Sequence, residues 1–214
     1  MSDAKADILG RIRASLADHP QAPTPTREYR TESTKSSEAI RDMLKDRLLD
    51  YKANVYEETS SSIAGRIQEL LGKSSMYVIP NGLNLAWIPE DSAARRHIVD
   101  SGFAPRAGSL THRELDAVNA VVTSSTVSCS ETGTIFLNGT SEEGRRAITL
   151  VPDHHICVVP SDSIVELIPE ALRRINPERP ITMISGPSAT SDIELQRVEG
   201  VHGPRTLDVI ILDA

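Results

Sequence analysis

Apolar residues recur along this chain with two periods, one helical and one extended. Residues 3–18 place Ile8, Leu9, Ile12 and Leu16 on one helical face, with Ser2 or Asp3 as the cap. Residues 19–35 (HPQAPTPTREYRTESTK) lack an apolar period and are rich in proline and threonine, the composition of a linker. The first helix is therefore an arm that packs on the body or on a partner chain, its own body being the simpler expectation. From Ser36 a second helix carries Ile40, Met43, Leu44 and Leu48. Residues 53–58 read as a short strand, and residues 61–71 as an amphipathic helix that stops at Gly72. Residues 76–79 form a strand ending in Pro80-Asn81-Gly82. Strand, helix and strand in close succession predict a βαβ unit and a parallel sheet. Trp87, the only tryptophan, reads as core, and residues 92–100 read as helical.

The second half repeats the alternation. A short helix capped near Thr111 leads to a strand over residues 117–122. Further strands are predicted over 134–137, 156–159, 181–184 and 207–212. Between residues 163 and 175 a turn precedes a helix that takes Pro169 at its first position. Apolar runs of this length, bounded by Pro and Gly, suit strands buried on both faces. The expected architecture is three-layer α/β/α with a mainly parallel sheet, over residues 36–214, preceded by an N-terminal helix and linker over 1–35.

Composition narrows the function. With 214 residues the chain is long enough for one large domain. A net charge of −7 and only 3% aromatics argue against a nucleic-acid partner. No window approaches 18 continuous apolar residues, so no membrane span is expected. The N-terminus lacks the charged-then-apolar pattern of a secretion signal, which points to the cytoplasm. Cys129 and Cys157 are the only cysteines, without a CxxC pair, so the chain cannot hold an all-cysteine iron–sulfur cluster alone. No flavin, nicotinamide or metal motif is present, and no cofactor is expected.

Three segments carry candidate chemistry. In Ser128-Cys129-Ser130-Glu131-Thr132-Gly133, hydroxyls flank one acid, and Gly133 permits a tight turn or close approach of a ligand. Glu131 is either a general base, nucleophile or hydroxyl acceptor, or a turn carboxylate bonding local N–H groups. In Pro152-Asp153-His154-His155, adjacent histidines on a strand point to opposite faces and cannot chelate one metal. One surface histidine and one inward, hydrogen-bonded histidine is the expected arrangement. In Ser185-Gly186-Pro187-Ser188-Ala189-Thr190-Ser191-Asp192, backbone N–H groups and hydroxyls follow a strand, where open α/β sheets bind ligands. Asp192 alternatively caps a helix beginning near Ile193. His202, Gly203 and Arg205 add positive charge to the same rim, and Arg205 can hold a carboxylate bidentately.

The series ETGTI, PDHHICVVP, ISGPSATSDIE and GVHGPR, followed by an apolar terminal strand, closely resembles the LUD-domain family over roughly residues 36–214. The resemblance implies a fold like that of glucosamine-phosphate isomerase, ribose-phosphate isomerase and the CoA transferases. It also implies a non-redox part, with iron–sulfur proteins A and B of the same system, in oxidising L-lactate to pyruvate. The family motif positions are Glu131, Thr132, Gly133, His155, residues 185–194 and residues 200–205. In CoA transferases of this fold class a glutamate beside a glycine turn forms an acyl intermediate, which makes an isomerase or acyl-transferase role for Glu131 the alternative. The two glycine-proline loops and Glu131 are expected to converge on one pocket for a small anionic metabolite, at the C-terminal edge of the sheet.

Overall fold

A computed structural model of the protein describes residues 4–73, 76–102, 108–191, 197–199 and 202–213. Helix α1 (Ala4–Ser15) forms where the apolar period predicts it, but it buries no residue. Ile8 and Leu16 remain more than half exposed, and every described residue up to Glu32 is exposed. The expectation that the arm packs on its own body is therefore not met. Four apolar residues, interrupted by Gly10, bury too little surface to offset the ordering of a long linker. The proposed caps Ser2 and Asp3 lie outside the described residues.

The body follows from α2 (Ser37–Asp50), whose Ser36 cap accepts a hydrogen bond from Ala39 N at 3.3 Å. Then come β1 (Asn54–Thr59), α3 (Ile63–Leu71) and β2 (Met76–Pro80). Gly72 ends α3 in the left-handed region at φ +51°, a conformation glycine adopts without a Cβ clash. Residues 92–100 are not helical. A bridge between Ser92 and Arg95 leads into β3 (Arg96–Asp100), which pairs in parallel with β2 from Met76↔Arg96 to Pro80↔Asp100. The pairing with β2, and the packing of Ile98 against the cluster around Val78 and Leu115, override the local helical pattern.

Helix α4 (His112–Asp116) opens with a reciprocal capping box between Thr111 and Glu114. The remaining elements are β4 (Ala120–Thr123), β5 (Val127–Cys129), β6 (Thr134–Leu137), β7 (His154–Pro160), β8 (Ile164–Val165), α5 (Ile168–Arg174), β9 (Thr182–Ile184), β10 (Ala189–Ser191), β11 (Arg197–Glu199) and β12 (Thr206–Asp213). Six strands form one parallel sheet in the order β1-β12-β7-β4-β2-β3. The mainly parallel α/β architecture is the one expected. Strands β1 and β2 are nonetheless separated by three others, so they are not neighbours of a simple βαβ unit.

Two predicted strands belong elsewhere. β6 and β9 join β5 and β8, which were not foreseen, in a second sheet of order β8-β5-β6-β9. One face of the parallel sheet packs Tyr77, Val122, Ile156 and Ile210 against Ile63, Ile67 and Leu71 of α3, with Trp87 partly buried beside them. The other face packs Cys157, Val159, Leu207 and Val209 against Leu44 and Leu48 of α2 and Ile135 and Leu137 of the second sheet. Helix α5 covers the outer side of that sheet through Ala171. No helix among the described residues is long and apolar enough to cross a membrane.

Candidate functional site

A cavity of about 200 Å3 lies where the starts of β7 and β12 meet β9. Its walls include Arg146 and Thr149 from the 3-10 turn before β7, and His155 and Leu207 from the sheet. The two glycine-proline loops close it, with Ser185, Gly186 and Ser188 from one and His202 and Gly203 from the other. These loops are stapled together. Ser188 N donates to Pro204 O at 2.8 Å, and Ser188 Oγ accepts from His202 N at 3.1 Å. Gly186 sits at φ +84°, where a Cβ would fall 2.7 Å from Cβ and O of Tyr51 at the end of α2. Only glycine allows that approach.

The position of the cavity differs from expectation. His155 and Leu207 are at the N-terminal ends of their strands, so the cavity opens on that edge and not the C-terminal one. The segment over residues 185–191, which includes β10, does follow a strand, but that strand belongs to the second sheet.

His155 is inward and buried. Its Nε2 lies 2.8 Å from Thr123 Oγ1. Burial, with the nearby charges of His154 and Arg146, pushes its pKa down to about 3, so the ring is neutral at physiological pH. His154 faces the opposite side of the sheet and pairs with Asp208 at 2.6 Å, which also accepts from Asn54 Nδ2 at 2.7 Å. The adjacent histidines thus point apart, as their strand position requires.

Arg146 is a wall residue that the sequence reading missed. Its Nη1 donates to Thr149 Oγ1 at 3.1 Å, and no carboxylate among the described residues pairs with it. Desolvation alone draws its pKa below the ordinary arginine value, yet the guanidinium stays charged. Its neighbour Arg145 is the reverse case, locked on buried Asp100 at 2.8 Å. An exposed, only partly desolvated cation without a carboxylate partner, lining a cavity, favours an anionic guest.

Of the other expected site residues, those with described side chains fall outside this cavity. Arg205 holds Asp153 through Nε at 2.8 Å and Nη2 at 2.6 Å, keeping that carboxyl below its usual range. Its pairing ties the start of β12 to the start of β7. Glu131 is not part of the cavity wall; it forms an ion pair with Arg30, and Arg30 also reaches Glu166. An acyl-transfer role for Glu131 gains no support from this placement. Thr132 and Gly133 stand behind the cavity wall. Thr132 Oγ1 meets Thr134 Oγ1 at 2.8 Å, which meets Ser185 Oγ at 2.9 Å. A Cβ on Gly133, at φ +59°, would fall 2.8 Å from Arg47 Cβ. Thr190 is placed in β10 by its backbone only. Asp192, and with it the helix proposed from Ile193, lies outside the described residues. Among the described residues no group of His, Cys, Asp and Glu side chains could hold a metal.

Comparison with known proteins agrees with the sequence motifs. The family model of the LUD domain matches residues 30–212. A curated relative from Deinococcus radiodurans, named Lactate utilization protein C, is 38% identical over 216 residues, covering 99% of this chain and 96% of its own. A protein of the same name from Geobacillus thermodenitrificans is 28% identical over 73% of this chain and 71% of its own. Among solved structures, a DUF162 family protein from Deinococcus radiodurans superposes with a TM-score of 0.69 at 33% identity, covering 83% of this chain and 99% of that one.

Proposed function

The chain belongs to the LUD-domain family, and from that premise we propose that it serves L-lactate utilisation as a non-redox component that binds a small anionic metabolite. The name shared by its relatives supports the pathway. The observation that carries the binding reading is Arg146, a charged, partly desolvated side chain facing the cavity without a carboxylate partner. The volume, about 200 Å3, is below the range of roughly 300–1,000 Å3 typical for drug-sized ligands and suits a short metabolite. Two cysteines are too few to hold an all-cysteine iron–sulfur cluster alone, and the iron–sulfur proteins A and B of the same system are the candidate electron carriers.

The test has two arms. A host lacking its own copy of the gene is grown on L-lactate with wild-type, Arg146→Ala or Glu131→Gln protein. Purified variants are titrated with L-lactate and pyruvate by calorimetry. Arg146→Ala should abolish rescue and weaken binding by about 1.5–3 kcal/mol, the range for a hydrogen bond to a charged group, while Glu131→Gln should grow normally. Normal growth and binding by Arg146→Ala would overturn the reading.

A further inference from the structure

Resting on that anion-binding reading, we infer that His155 is a specificity residue, and that it selects a short hydroxy acid whose carboxylate sits on Arg146 and whose hydroxyl is held by the imidazole. Two polar groups of different character face the one cavity. Arg146 is a fixed cation at its exposed side. His155 is 1% exposed and lines the same space from the floor of the sheet.

The histidine is held for this task. Nε2 is engaged by Thr123 Oγ1 at 2.8 Å. No residue among those described bonds the second ring nitrogen. That nitrogen is left for water or a guest in the cavity that the ring lines. The ring is also near enough to Arg146 to feel its charge. Burial, more than that charge, keeps the ring neutral, and it adds no second anion subsite.

Neutral imidazole presents either a donor or an acceptor at that nitrogen, depending on which way the Thr123 hydroxyl turns. A hydroxyl satisfies both cases, because it donates and accepts. A carboxylate only accepts: it meets the nitrogen where that nitrogen carries the proton, and leaves it bare where Nε2 carries the proton and donates to Thr123 Oγ1. In that second tautomer the pair reads a monoanion bearing a neutral hydroxyl.

The experiment compares L-lactate with propionate, which has the same carbon count and charge but no hydroxyl, by calorimetric titration of the full-length protein. L-lactate should bind about 5-fold tighter, the net effect of one typical hydrogen bond. His155→Leu should erase that ratio while keeping propionate binding, and Arg146→Ala should lose both ligands. Equal binding of the two acids by wild-type protein overturns the role of His155 and leaves the anion site standing. Binding of neither overturns the anion-binding reading and the role of His155 with it. The wild-type comparison decides the matter even if His155→Leu fails to fold.

Discussion

Removing residues 30–35 should destabilise the body, whereas removing everything before them should not. Residues 4–29 are exposed throughout. From Arg30 onward the chain becomes a strap. Lys35 Nζ and Ser33 Oγ bind the two oxygens of Glu166, and Arg30 Nη1 joins them at 3.4 Å. Ser33 N donates to Glu170 Oε1 at 3.1 Å, and Arg173 donates to Thr31 O at 2.7 Å. The Glu166 side chain is only 2% exposed beneath this strap. Its cover is a single layer of linker, so cutting the strap away returns the carboxylate to water and avoids an uncompensated buried charge. The loss is then that of charged hydrogen bonds, about 1.5–3 kcal/mol each at face value. Lys35 is itself 40% exposed, and solvent screening lowers its share. A net loss of ~2 kcal/mol follows, which corresponds to roughly 4–8 °C in Tm for a domain of this size. The strap donors, Lys35 first and Ser33 next, hold the Glu166 carboxyl below its usual range. A depressed folded pKa means the stability is present above the unfolded value, ~4.3, and is lost as pH falls through the folded one. Thermal melts of chains beginning at 30 and at 36 should differ at pH 7, and the gap should close as acid takes the pH below the ordinary glutamate value and through the lower folded one. Equal midpoints at pH 7, or a gap that does not shrink with acid, would refute the reasoning.

Arg205→Ala should leave L-lactate binding unchanged and lower stability by no more than about 1 kcal/mol, because both it and Asp153 are more than half exposed. Weakened binding would put Arg205 back in the site. Gly186→Ala and Gly65→Ala should move stability in opposite directions when unfolded by urea. The first forces a Cβ into Tyr51 at positive φ and should cost at least ~2 kcal/mol. The second meets nothing within 4 Å inside α3 and should stabilise by roughly 0.5–1 kcal/mol.

Strands such as β7 and β12 were legible because burial on both faces writes an unbroken apolar run. Helix α3 was legible because its buried residues recur at helical spacing. Sheet membership was not. The runs TIFL and TMI resemble central strands in composition, and only their antiparallel partners place them in the second sheet. β3 was misread because Arg95, Arg96 and His97 hide a strand whose pairing comes from β2. The strap was missed for a different reason. A segment without apolar period reads as linker, yet residues 30–35 are held by charge, and their partners Glu131, Glu166 and Glu170 lie far along the chain. Arg146 carried one usable signal: it sits in an Arg-Arg pair in an acidic chain. Which arginine is consumed by Asp100 and which faces the cavity is settled only by tertiary structure.

The edge on which the cavity opens follows from the connections. Open α/β sheets commonly take ligands at their C-terminal edge, where connections diverge. Here the charged groups at that edge are paired with one another, beside a surface pocket lined by Ser37, Arg41, Ser161 and Asp213. β12 ends at Asp213, gripped by Arg41 through two contacts of 2.9 Å, while Arg41 and Lys45 also hold Glu57 of β1. β3 ends at Asp100, taken by Arg145. The turn after β2 lies against residue 141, with Gly82 N donating to Ser141 O at 2.9 Å. At the other edge, β7 and β12 start side by side with Thr206 opposite His154. The short turn Arg146–Thr149 leads into β7, and the chain over residues 185–205 leads from the second sheet into β12. These two connections stand over adjacent strand starts, and the cavity lies between them. The long glycine-proline segment is therefore explained as the far wall of a crevice whose near wall holds Arg146 and whose floor holds His155.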